Sequence, residues 1–115
     1  MSEKIVFLYV PFDKFETAKE IAKVLLEERL CACVNIFQNV YSLYHWQGKI
    51  EESPEVVMIV KTRESLAERA TERIKELHTY TCPCVAKLEV EILFKPYEEW
   101  LLAETTSTLF CRSEA

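Results

Sequence analysis

Glycine is almost absent from this chain: Gly48 is the only one in 115 residues. A loop that cradles phosphate needs several glycines, because backbone N–H groups must approach the anion closely. Such a loop is therefore excluded. No P-loop, dinucleotide fingerprint, His-Glu-x-x-His helix or nucleophile elbow is present. Long apolar runs are also missing, so no transmembrane helix is expected. Positive charge is not in excess: the formal net charge is −5. Nucleic acid and anionic membrane both demand a basic face and are not expected partners. No low-complexity block or internal linker interrupts the chain, which reads as one domain over residues 1–115.

Cysteine is present, but not as a disulfide framework. The five cysteines are an odd number, and four fall in two Cys-x-Cys pairs. Reduced thiols are the better reading. Met1-Ser2-Glu3-Lys4 leads into a strand-like run with no cleavage pattern, so a cytoplasmic location is expected. Half the residues are apolar, enough to build a core without staples.

Ile5-Val6-Phe7-Leu8-Tyr9-Val10 is continuously apolar and reads as a strand buried on both faces. Asp13-x-x-Glu16 resembles a capping box. Phe15, Ala18, Ile21, Ala22, Leu25 and Leu26 then form a helical stripe that should stop near Arg29. Leu30 to Trp46 alternates as a strand, with Cys31, Cys33, Asn35 and Phe37 on one face and a bulge expected at Gln38-Asn39. Its length would be roughly 55 Å, against about 17–20 Å for an ordinary strand. Gly48 then marks the tip of a long hairpin. Pro54 fits a strand edge, and Val56–Val60 is a second strand apolar on both faces.

Thr62 is placed to cap a second helix, with Leu66, Ala70, Ile74 and Leu77 as its stripe. His78–Cys84 is a connector. Ala86, Leu88, Val90, Ile92 and Phe94 alternate with Lys87, Glu89 and Glu91 as a last strand. Pro96 opens a short helix with Tyr97, Trp100 and Leu101 on its apolar side. Residues 104–115 read as a frayed tail that holds an incidental thiol, Cys111.

The order β-α-β-β-α-β plus a C-terminal helix is the ferredoxin-like α+β plan, with strands one and three central. Two helices cover one face of such a sheet. Central strands apolar on both faces need the other face covered as well, and the overlong hairpin supplies the means. A partner subunit is the economical answer.

These residues resemble the CutA family, the divalent-cation tolerance proteins. Ala32-Cys33-Val34-Asn35-Ile36, Ser42-Leu43-Tyr44-His45-Trp46-Gln47-Gly48-Lys49-Ile50, Val60-Lys61-Thr62, His78-x-Tyr80-x-x-Pro83 and Tyr97-x-x-Trp100-Leu101 match its motifs in order, over about residues 5–103. The resemblance implies a homotrimer whose hairpins embrace neighbouring subunits. It also implies a non-enzymatic role in binding divalent metal, copper among them. The chain departs from the family at Thr79, Thr81 and Cys84, and Leu8-Tyr9-Val10 carries no cysteine where some members have a proposed copper ligand.

Four residues are candidate metal donors: His78, Cys82, Cys84 and Cys33. Thiolates are soft ligands suited to copper(I) or zinc. The competing reading is core packing for the cysteines and helix capping for His78. Tyr44, Trp46 and Gly48 are candidate interface residues of the hairpin, where His45 reads as packing. Lys61, Tyr80 and Trp100 outline a conceivable cleft at a helix N-terminus. That cleft supports an alternative function, a trimeric signalling or scaffold module akin in plan to nitrogen-regulatory PII proteins. An acylphosphatase-like enzyme ranks last, since Pro11-Phe12-Asp13-Lys14 offers neither glycine nor arginine for an anion.

Overall fold

A computed structural model describes residues 3–106. Its elements in chain order are β1 (Ile5–Phe12), α1 (Phe15–Glu27), β2 (Cys33–Trp46), β3 (Lys49–Arg63), α2 (Ala67–Leu77), β4 (Ala86–Val90) and α3 (Lys95–Glu104). One turn of 3-10 helix, Glu64–Leu66, leads into α2. The strands form one antiparallel sheet in the order β2-β3-β1-β4, with the two doubly apolar strands central as expected.

One face of the sheet carries α1 and α2. Val6, Leu8, Val10 and Phe12 of β1 and Val56, Met58 and Val60 of β3 pack there against Ala18, Ile21 and Leu25 of α1 and Ala70 and Ile74 of α2. Burying each large apolar side chain contributes about 1.5–3 kcal/mol, so this layer holds the domain together. The other face presents Phe7, Tyr9 and Pro11 beside Val57, Ile59 and Lys61, with Cys33, Asn35 and Phe37 on one flank and Ala86 and Leu88 on the other. Only its Ile5 end is roofed, by α3 through the fully buried Leu101. Phe37 is 54% exposed, Leu88 47% and Tyr9 37%.

β1 pairs β3 only from Val56 onward, so the stretch from Lys49 to Glu55 has β2 as its single partner. Seven facing pairs, Val40↔Glu55 to Trp46↔Lys49, form an arm of roughly 23 Å. Gln47 (φ 51°) and Gly48 (φ 79°) both have positive φ, the signature of a two-residue type I′ turn. A register shift lies between Phe37 and Val40, with Asn39 at φ 66°, where the bulge was expected. Pro54 falls in the arm, where β3 has a free edge.

Several local expectations give way to tertiary structure. The capping box does not form: Lys14 is the N-cap of α1 and no side chain caps it. Leu26 points outward at 40% exposure. β2 begins at Cys33, because Arg29 takes a left-handed conformation (φ 61°) and Ala32 N–H turns onto the Lys61 carbonyl at 3.0 Å. Cys31 consequently joins the helix-side core and does not share a face with Cys33. Thr62 caps nothing. It lies in β3, fully buried, and its hydroxyl donates to the Leu30 carbonyl at 2.7 Å. β4 stops at Val90, which leaves Ile92 and Phe94 outside the strand.

Within the expected tail, Glu104, Thr105 and Thr106 are held in place. Glu104 pairs with Arg29 at 2.7 Å, Thr106 N–H donates to the Arg29 carbonyl at 2.9 Å, and Arg63 Nε donates to the Thr105 hydroxyl at 2.9 Å. The same Arg63 donates to Glu3 at 3.0 Å and to the Leu102 carbonyl, so one guanidinium ties both ends of the described chain to β3. Cys111 lies outside the described residues.

Candidate functional site

His78 follows the last turn of α2, and its ring lies against Phe12 with centroids 4.1 Å apart. Nε2 is 2.8 Å from the Pro11 carbonyl oxygen, which can only accept, so Nε2 carries the hydrogen. Nδ1 accepts the Tyr80 N–H at 3.1 Å. Both nitrogens are therefore engaged by backbone, and a metal could take one only by displacing it. Tyr80 in turn donates its hydroxyl to Glu55 Oε2 at 2.7 Å, while Ser42 donates to Glu55 Oε1 at 2.6 Å. Burial, followed by the Glu55 carboxylate, pushes the Tyr80 hydroxyl above its ordinary range. The chain Pro11–His78–Tyr80–Glu55–Ser42 pins the connector to the base of the hairpin arm. Glu55 was not singled out from the sequence, although a lone acid at the head of an apolar strand is a signal that could have found it.

The four cysteines among the described residues are free. Cys31 is 1% exposed, and burial raises its thiol to about 12, so it stays protonated as a packing group. Cys82 and Cys84 are exposed, so they do not pack the core of this chain. Cys33 lies across from Lys61 on β3 and beside Tyr97, whose hydroxyl is raised by burial and then by the Cys33 thiol. Cys33 is separated from the Cys84 side of the sheet by two intervening strands, roughly 14 Å across. The structure thus does not bring His78, Cys82, Cys84 and Cys33 together in one chain. Among the described residues no group of three or more His, Cys, Asp or Glu side chains is arranged to hold a metal ion.

Lys61 Nζ sits 5.3 Å from the Phe7 ring centroid and 5.9 Å from that of Tyr97, and Trp100 lies 5.4 Å from Tyr97. Tyr80 is elsewhere. It is bonded to Glu55, six residues from Lys61 along β3, which is about 20 Å. Lys61, Tyr80 and Trp100 do not form one cleft within a single chain. On the arm, Tyr44 is 42% and Trp46 51% exposed, and Tyr41, Leu43 and Ile50 are exposed beside them. Tyr41 donates to Glu52 and Tyr44 lies 3.2 Å from Ser53 Oγ, contacts that brace the two strands of the arm.

This geometry defines a small α+β sheet protein with a projecting aromatic hairpin and one largely open apolar face. The model of the CutA1 divalent ion tolerance protein matches residues 6–104. The divalent-cation tolerance protein CutA of Pyrococcus horikoshii is 44% identical over 101 residues, 88% of this chain and 98% of the relative. That of Thermus thermophilus is 41% identical over 103 residues, 90% of this chain and 98% of the relative. The crystal structure of CutA1 from Oryza sativa superposes with a TM-score of 0.90 at 36% identity, covering 93% of this chain and 98% of its own. The chain belongs to the CutA1 divalent ion tolerance family.

Proposed function

We propose that the protein is a non-enzymatic homotrimer that serves tolerance to divalent cations, copper among them, in the cytoplasm. The observation that carries the reading is the open sheet face. Phe37 on β2, Tyr9 on β1 and Leu88 on β4 stand exposed on this face at three successive levels of the register, beside a hairpin arm whose two strands pair only with each other. Contiguous apolar surface of this kind marks an interaction site, and a closed ring of identical subunits covers every copy equally. Free thiols fit a reducing compartment.

Among the described residues one chain offers no three-donor metal site, so an ion held by these residues in that way needs donors from more than one chain. Cys82 and Cys84 are free and exposed, whereas Cys33 is half-buried against Tyr97 and His78 would have to release a backbone partner. The test is Phe37→Asp, which places charge on the face to be covered. Its unfolding midpoint should fall and its assembly weaken by at least tenfold. An assembly unchanged by Phe37→Asp contradicts the reading.

A second reading, a ligand-sensing trimer akin in plan to PII proteins, draws on Lys61. Its ammonium is set over two rings and makes no ion pair among the described residues, a setting that suits an anionic ligand. Thermal shift with small carboxylates and phosphates, lost in Lys61→Met, would favour this reading over the first.

A further inference from the structure

We infer that Lys61, Phe7, Tyr97 and Trp100 bind one small organic anion, a carboxylate carried on a flat aromatic body, in the corner where α3 meets the sheet. The inference rests on the ligand-sensing reading above and names the class of ligand for it. Its first support is an ammonium without an acceptor. Lys61 is half-buried, and the residues facing it on β1 and β2 are Phe7 and Cys33. Nζ stands 5.3 Å from the Phe7 centroid and 5.9 Å from that of Tyr97, and among the described residues no oxygen accepts from it. Ring faces attract a cation, but they leave the three hydrogens of the ammonium without an acceptor. An anion that enters gains a charge-assisted hydrogen bond, one of the strong kind.

No carboxylate of this chain fills that place. Arg63 lies two residues further along β3, on the same face as Lys61. It takes Glu3 at 3.0 Å, the Thr105 hydroxyl at 2.9 Å and the Leu102 carbonyl. Glu98 on α3 is held by Lys95 at 2.8 Å. This end of β3 therefore sets two cations, Lys61 and Arg63, against the single carboxylate of Glu3. That is a local positive excess in a chain of net charge −5, and it draws an anion towards the corner.

Charge and surface together select the ligand. One free ammonium balances one negative charge, which a carboxylate carries. A phosphate dianion would keep an uncompensated charge beside apolar rings, at a cost. The surface on offer is aromatic: Phe7 on the sheet, then Tyr97 and Trp100 on α3 with centroids 5.4 Å apart. Trp100 is 41% exposed, and Leu88, which faces Phe7 from β4, is exposed as well. Rings pack favourably on rings, offset or edge to face, so a flat aromatic body uses this wall best. Burial, then the Cys33 thiol, raises the Tyr97 hydroxyl, which stays protonated as a further donor beside Cys33.

The experiment titrates the full chain, as it assembles in solution, with benzoate, benzamide, acetate and inorganic phosphate by calorimetry. Saturable binding of one benzoate per chain is expected. It should be at least tenfold tighter than benzamide, which keeps the ring without the charge, and than acetate, which keeps the charge without the ring. Lys61→Met, shown to be folded by circular dichroism, should weaken benzoate at least tenfold. Trp100→Leu should weaken benzoate and leave acetate unchanged. Benzamide bound as tightly as benzoate overturns the assignment, and that comparison needs no variant. Acetate or phosphate bound as tightly as benzoate, and lost in Lys61→Met, overturns the aromatic ligand while the ligand-sensing reading stands. Absence of saturable binding by all four removes both.

Discussion

His78 and Phe12 lie ring on ring, centroids 4.1 Å apart and planes 5° from parallel, and the same imidazole bridges the Pro11 carbonyl to the Tyr80 N–H. One side chain thereby joins the end of β1, the end of α2 and the thiol-bearing connector. His78→Ala removes two hydrogen bonds of about 0.5–1.5 kcal/mol each and a stacking contact of about 0.5–1.5 kcal/mol. Chemical denaturation should show a loss of about 2–4 kcal/mol. A loss below half a kilocalorie, on the order of 0.5 kcal/mol, contradicts the structural role.

Tyr80 meets Glu55 through a half-buried hydrogen bond to a carboxylate. Tyr80→Phe keeps the ring and removes the donor, at an expected cost of about 1.5–3 kcal/mol. In a cycle with Glu55→Gln the two changes should be non-additive, because the second variant has already lost the charged acceptor. Additive effects would mean that the bond does not form in solution.

The hairpin tip separates conformation from space. Gly48 has φ +79°, and a Cβ added there meets nothing within 4 Å. Any penalty is therefore backbone strain, about 1–2 kcal/mol for a β-branched residue and less for asparagine. Gly48→Val should lower the thermal midpoint while Gly48→Asn leaves it nearly unchanged. Equal losses in both variants would point to a lost contact in place of strain.

Acid should loosen the ends of the chain. Burial raises the Glu3 carboxyl, but hydrogen bonds from Ser65 and the Arg63 guanidinium outweigh it and hold the group below its ordinary value of 4.5. A carboxyl lowered in the folded state stabilises above its unfolded value and loses that contribution as pH falls through the folded one. Stability measured from neutrality downward should hold until about the ordinary carboxyl value and then decline. Glu3→Gln should flatten that part of the curve. The same slope in both proteins contradicts the assignment.

Much of the architecture was legible because it rests on local rules. The lone Gly48 announced the tip, Gln38-Asn39 announced the bulge, and the crossover rule, agreeing with apolarity on both faces, placed β1 and β3 in the centre. What escaped depends on partners distant in sequence. Cys31 and Cys33 look equivalent in an alternating run, until the left-handed Arg29 and the Ala32–Lys61 hydrogen bond turn one into the core. Thr62 reads as a cap because helix follows, yet its partner is Leu30. His78 reads as a ligand or a cap, and its real partner is Pro11, 67 positions away. The candidate donors were recognisable as types, but their separation across the sheet was not.

The central claim is that identical chains cover the face carrying Tyr9, Phe37 and Leu88. Sedimentation equilibrium of the purified chain over a range of low micromolar concentrations tests it most directly. The account predicts a single species of three times 13.5 kDa. A species of one chain mass, unchanged across that range, would contradict it.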